Sequence, residues 1–165
     1  MQLEDFFDYK NQLMEDLLTT ESIVRLLNDN VSMEESHKLA YTQVFPYEFI
    51  PETVEEAKTF ICFDVDIQES INKTFLSPTL YVWIFSHKTR LRLAEGGVQP
   101  DKLASEIAKK INGSRFYGLG ELDLYSVRRF APVTDYQGKV MTFRMKEWNR
   151  PAPSAKPIPS NRKTG

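Results

Sequence analysis

Apolar residues recur at helical spacing over residues 3–18, where Leu3, Phe6, Phe7, Leu13, Met14, Leu17 and Leu18 are set among acidic residues. This spacing gives one apolar stripe and predicts an amphipathic helix. Thr19 and Thr20 are N-cap candidates for a second, shorter helix carrying Ile23, Val24, Leu26 and Leu27, which Asn28-Asp29-Asn30 ends. Ser32-x-x-Glu35 has the capping-box pattern and predicts a short helix over 33–41. Residues 42–58 then pass through Pro46 and Pro51 with Phe45, Tyr47, Phe49 and Ile50. That segment reads as irregular yet apolar, so it lies against the core or a partner.

The period then changes to two. Ile61, Phe63, Val65 and Ile67 share one face of a strand over 59–67. A second strand over 79–86 is apolar on both faces, with Leu80, Val82 and Ile84 on one and Tyr81, Trp83 and Phe85 on the other. Gly96-Gly97 breaks the chain, and Pro100 suits the first turn of a helix. Leu103, Ala104, Ile107, Ala108 and Ile111 form that helix's buried stripe, with Glu106 and Lys110 as an outer i,i+4 pair and Asn112-Gly113 as its stop. Two more strands, 121–130 and 139–148, flank a turn near Asp135–Gly138, and Met141, Phe143 and Met145 share a face of the last. The fold class is α+β: N-terminal helices followed by β-β-α-β-β, a mainly antiparallel four-stranded sheet packed on helices. One helix cannot cover both faces of that sheet. The Tyr81/Trp83/Phe85 face therefore needs a second cover, supplied by the N-terminal helices or a neighbouring subunit.

Charge changes this picture. The net charge is only −2, but residues 1–69 hold 16 Asp/Glu against 4 Lys/Arg, and residues 70–165 hold 7 against 17. A monomer gains little from such sorting, whereas an acidic end that meets a neighbour's basic end gains register and partner choice. The organisation is residues 1–58 as helices and apolar irregular segment, 59–149 as the β-β-α-β-β core, and 150–165 as a Pro-rich basic tail. The tail holds four prolines, the basic residues Arg150, Lys156, Arg162 and Lys163, and no acid. Alone it should be disordered, so an ordered tail would lie along a partner surface. The lone Cys62 excludes a disulfide within the chain, the acidic opening residues are not a signal peptide, and the longest apolar run, Leu80–Phe85, is too short to span a membrane. No membrane association is expected.

Candidate chemistry is sparse. His37 and His87 lie fifty residues apart with no cysteine beside them, which is no metal signature. They read as a solvated histidine and a strand-end histidine bonded to backbone. Asp64 with Asp66, and Glu121 with Asp123, are strand-face carboxylate pairs that could hold Mg²⁺ for a nuclease. Neither is followed by the spaced lysine such a core needs. Gly118-Leu119-Gly120 lacks a third glycine and precedes a strand, the wrong context for a dinucleotide loop. Lys88, Arg90 and Arg92 alternate with Leu91 and Leu93, and Arg128-Arg129 sits late in the third strand. Such a patch can bind phosphate, but the acidic first half and a pI of about 5.8 favour subunit contact. No catalytic residue and no cofactor is expected. The candidate interface is Lys88, Arg90, Arg92, Arg128, Arg129, Tyr81, Trp83, Phe85 and the basic tail residues.

A leading acidic helix followed by β-β-α-β-β resembles the tail-terminator and neck proteins of tailed bacteriophages. The matching features are the Phe60–Ile67 and Leu80–Phe85 strands, the Gly97-x-x-Pro100-Asp101-x-Leu103 helix entry and the Gly118-Leu119-Gly120-Glu121-Leu122-Asp123-Leu124 strand entry. The hairpin that closes at Phe143 and ends near Trp148-Asn149 also matches. The resemblance spans roughly residues 55–150; residues 28–58 and the tail lie outside it. It implies a virion structural protein, assembled in the bacterial cytoplasm, whose six subunits close into a ring on the tail tube. The ring stops tube growth and docks to the head connector, and DNA only passes through its channel. A ring contact is heterologous, so the two charge-sorted halves suit its two sides; alternatively the acidic surface lines the lumen and lets DNA slide. The other readings are a connector or stopper of the neck, a non-viral α+β adaptor docking through its Pro-rich tail, and a metal-dependent nuclease. If the basic half supplies one side of the ring contact, exchanging Arg128 and Arg129 together for Glu disrupts ring formation, and intact rings from that variant in electron micrographs would remove the idea.

Overall fold

The computed structural model describes residues 4–51, 57–70, 75–115, 121–145 and 147–148. Among these residues, three α-helices, α1 (Glu4–Thr19), α2 (Glu21–Leu27) and α3 (Gln99–Ile111), accompany a six-stranded sheet. The strands are β1 (Val44–Phe45), β2 (Thr59–Ser70), β3 (Phe75–His87), β4 (Asp123–Phe130), β5 (Tyr136–Arg144) and β6 (Glu147–Trp148). Their order is β1-β2-β3-β5-β4, with β6 pairing with β3. Every pair is antiparallel except β1–β2. The class is thus α+β, and the sheet gains two strands over the four expected. One of the two is β1, a two-residue strand inside the segment that reads as irregular; it pairs through Val44↔Ile61 and Phe45↔Cys62.

The central strand β3 explains the two apolar faces of its sequence, because it has neighbours on both sides and layers above and below. Ile61↔Ile84, Phe63↔Val82 and Val65↔Leu80 align across β2–β3, and Leu80↔Phe143 and Val82↔Met141 across β3–β5. These residues form one buried face with Leu103, Ile107 and Ile111 of α3. Tyr9, Leu13, Leu17 and Leu18 of α1 and Ile23, Val24 and Leu27 of α2 join the same cluster. The N-terminal helices therefore share a face with α3 and do not cover the Tyr81/Trp83/Phe85 face. The reason is polarity: β2 turns Asp64 and Asp66 to the second face, and β5 turns Thr142 and Arg144 there, so only the first face is apolar along its whole height.

Among the described residues the second face is covered at one end only. Phe45, Phe60, Cys62, Phe85 and Tyr136 form a smaller buried cluster, with Phe49, Trp83, Phe130 and Val133 against it. Phe45 and Phe49 stack at 4.1 Å, so the segment after β1 is the lid over this cluster. Phe85 aligns with Gly138 of β5 and is flanked by the rings of Phe130 and Tyr136. A Cβ on Gly138 would fall 1.7 Å from the Ile84 carbonyl oxygen, so the close approach of β3 and β5 requires glycine.

Local signals were partly overridden. In α1 the buried stripe runs Tyr9, Leu13, Leu17. Phe7 sits about half a turn from that stripe and is 70% exposed; Leu3 lies outside the described residues. Thr20 does stand at the N-cap of α2, but makes no side-chain cap; its hydroxyl donates instead to the Asp16 carbonyl at 2.6 Å. Met33–Leu39 is a 3-10 helix, and Ser32 makes no side-chain cap: the Glu35 N–H donates to the Ser32 carbonyl at 3.0 Å, while the Glu35 carboxylate pairs with Lys38. In α3, Glu106 pairs with Lys109 and not with Lys110. Gly113 does stop α3, at φ +75°. Asn112 Oδ1 then accepts from the Leu124 N–H at 2.9 Å, tying the helix end to β4. Among the described residues no helix is long and apolar enough to cross a membrane.

The layers are fastened by a buried amide. Gln43 is 4% exposed. Its Nε2 donates to the carbonyls of Leu27 and Thr59, each at 3.0 Å, and its Oε1 accepts from Asn28 Nδ2 at 2.9 Å. The end of α2, the β1 turn and the start of β2 meet in this one side chain. Gln43→Leu leaves two carbonyls and an amide without it, and should lower stability by about 2–4 kcal/mol; urea unfolding of the variant measures the loss. A second test uses the small cluster. Burial pushes the Cys62 thiol up to about 12 from its ordinary 9.0. Burial, then the Asp135 carboxylate, also raises the Tyr136 phenol above 10.0. Between those values the unfolded chain has released protons that the folded chain keeps. Stability should hold below pH 9 and fall as pH rises above it, by up to about 1.4 kcal/mol per pH unit per proton. Cys62→Ala should delay the onset toward pH 10, read from urea midpoints across the alkaline range.

Candidate interaction surface

The uncovered part of the second face holds the side chains of greatest interest. Along β3, the rings of Tyr81 and Trp83 stack at 5.7 Å and 14°. Both are half-buried, whereas Phe85 is fully buried in the aromatic cluster. Tyr81 aligns with Asp64 on one side and Thr142 on the other. Beyond β5, Ser126 bonds the Thr142 hydroxyl and Arg128 aligns with Val140. Tyr125 is an extra residue in β4, since Leu124 and Ser126 align with consecutive residues of β5. This is a β-bulge. It leaves Tyr125 59% exposed, with the Arg144 guanidinium carbon 3.3 Å from the ring centre, a cation–π contact.

The edges of the sheet are unlike. On one side β1 pairs with β2 only at Ile61 and Cys62, and among the described residues no strand pairs with the outer edge of β2 beyond them. That edge carries Asp64 and Asp66, and Lys10 of α1 pairs with Asp64 at 2.5 Å while donating to the Pro46 carbonyl at 3.0 Å. On the other side, among the described residues, β4 pairs only with β5. It carries Arg128 and Arg129, and leaves Leu124, Tyr125 and Val127 exposed.

The basic residues singled out from the sequence do not form one patch. Lys88 pairs with Asp135 at 2.9 Å, and that hydrogen bond holds the Asp135 carboxyl below the usual range. Arg90 donates to the Ala57 carbonyl at 2.5 Å. Arg92 is exposed at a short bridge to Val98. Arg128 and Arg129 point to opposite faces, as successive strand residues do. Arg128 faces the Tyr81/Trp83 side. Arg129 faces the helix side and lines an open groove of about 760 Å³ with Asp101 and Lys139, which lie 3.7 Å apart. Arg150, Lys156, Arg162, Lys163 and the Gly118-Leu119-Gly120 entry lie outside the described residues.

The carboxylate pairs do not converge. β2 and β4 are separated by two strands, roughly 14 Å, and Asp64 is engaged by Lys10 while Glu121 pairs with Arg115. Among the described residues no three His, Cys, Asp or Glu side chains gather as a metal set. His37 is exposed. His87 is buried at the end of β3, with Nδ1 2.8 Å from the Thr89 hydroxyl and accepting from the Thr89 N–H at 3.3 Å. Sequence reading missed Tyr125 and Arg144 as parts of this surface, and reached Asp66 only as a polar strand-edge carboxylate paired with Asp64. Alternation alone puts Asp66 opposite the apolar face of β2, but the bulge that turns Tyr125 outward has no local signature.

A family model described as YomW matches residues 20–145, from the start of α2 through the end of the sheet's main hairpin. No curated protein matches the chain. The match covers most of the chain and takes in the lid segment and both sheet edges, so this protein belongs to the phage-related YomW family.

Proposed function

We propose that this protein is a structural component of a tailed phage particle. It forms a ring at the head–tail junction, ends the tail tube and joins it to the head connector. The observation that carries this reading is that the charge sorting of the chain becomes a sorting of sheet edges. The acidic strand β2 lies at one edge and the basic strand β4 at the other. Two unlike, open edges cannot satisfy each other within one copy. They suit a head-to-tail contact between copies, and such a contact closes into a ring when its rotation permits. Membership of a phage-related family supports the setting. The ring's partners are then the tail tube protein on one side and the portal-side neck proteins on the other, with DNA passing through, and the assembled protein resides in the virion.

Deleting the gene from the phage genome and imaging the particles tests this. Overlong tails detached from filled heads are the expected outcome. Tails of normal length beside leaking heads would move the protein to the connector or stopper position of the neck. Unchanged infectious particles would overturn the virion role.

A further inference from the structure

We infer that the occupant of the β4 edge is the open edge of β2 in a second copy of this chain, paired antiparallel with Arg128 opposite Asp66. The inference rests on the ring reading and specifies its contact. Edge strands with free N–H and C=O groups take up further strands, and side-chain matching sets the register.

Three observations select this occupant and this register. The first is direction. Across the sheet β2, β3, β5 and β4 alternate, so β4 runs opposite to β2. A neighbour placed beside β4 with its sheet continuing the same way presents β2 antiparallel to it, with like faces on the same side. The second is length. β4 has eight residues, of which the bulged Tyr125 takes no lane. From Phe130 back to Val127, β4 offers four regular lanes before that bulge, and they match β2 from Asp64 to Ile67, the stretch between its pairing with β1 and its own irregularity before Ser70. The third is chemistry. With Arg128 opposite Asp66, both exposed, the charges meet on the Tyr81/Trp83 face. Val127, 48% exposed, then falls opposite the half-buried Ile67 on the helix face. Setting Arg128 opposite Asp64 instead would drive Phe130 onto Cys62, where β1 already sits. Cross-strand pairs of opposite charge and of apolar residues are the ones that fix a sheet's register.

The test uses two single variants of the full chain, Arg128→Asp and Asp66→Arg, studied alone and as an equimolar mixture by size-exclusion chromatography with light scattering. Each alone carries like charges on both edges and should elute as monomer. The mixture should return assemblies at the wild-type size, because each variant's edges complement the other's in alternation. The double variant should also assemble. Circular dichroism of each single variant, both changed at exposed positions, checks the fold. As an independent readout, a chain with Ile67→Cys and Val127→Cys should give a ladder of linked copies on a non-reducing gel after mild oxidation, with Cys62 shielded by burial. Asp66→Arg assembling like wild type while Arg128→Asp fails would point to β4 pairing with β4 and overturn this contact, leaving the ring reading standing. No rescue on mixing together with no ladder would overturn it likewise. A wild-type chain that stays monomeric at every concentration would overturn the ring reading and this contact with it.

Discussion

The Gln43 amide is where the separate parts of this fold are fastened together. Its three hydrogen bonds reach the end of α2 and the start of β2, and its own carbonyl accepts from the Ile61 N–H at 2.8 Å. Tyr41, held at φ +60°, turns the chain so that Gln43 enters the interior. A side chain that is polar, buried and fully bonded admits one arrangement, because any slip leaves several groups desolvated and unbonded. The helical layer, the parallel strand β1 and the aromatic lid that follows it all take their positions from this point.

From that anchor the two faces of the sheet separate by polarity. All three helices bury the face built from Ile61, Phe63, Val65, Leu80, Val82, Met141 and Phe143. Among the described residues the other face gets only the lid from Phe45 to Phe49 and the rings around Phe85, and this cover stops where Asp64, Asp66, Thr142 and Arg144 begin. Ring packing over Gly138 closes the lower half of this face. The upper half keeps a stacked Tyr81/Trp83 pair beside charged lanes. A sheet finished in this way has one complete core and one half-finished face, flanked by unlike edges.

The charge asymmetry gains meaning only through strand order. Consecutive strands could have laid the acidic and basic halves side by side. Instead the α3 crossover carries the chain past β3, and β5 returns into the gap, which sends β4 to the far edge. Charges sorted along the chain thus become charges sorted across the molecule. Lys10 shows the same logic in small: a base in the acidic half is spent on Asp64, so that Asp66 is left as the outward carboxylate of that edge.

Much of this was legible in the sequence. Periodicity marked α3 and the four long strands, because a buried stripe repeats at a spacing fixed by backbone geometry. The two-sided β3 announced itself as central for the same reason. The Gly113 stop followed from a backbone angle that other residues disfavour. What sequence could not decide were matters of long-range pairing. Phe7 and Tyr9 differ little as local signals, and only the helix's docking chose Tyr9 as the buried one. The capping pattern of Ser32 and Glu35 lost to a 3-10 turn, in which the Glu35 N–H bonds the Ser32 carbonyl, and the basic run from Lys88 to Arg92 was divided among Asp135, the Ala57 carbonyl and a short bridge. β1 is two residues long and needs β2 to exist at all. The face chosen by the N-terminal helices, the bulge at Tyr125 and the edge positions of β2 and β4 depend on contacts tens of residues apart, and local preference carries no information about them. The sequence by itself determined the class of fold and the sorting of charge; the tertiary structure alone decided which charges face outward, and on which edge.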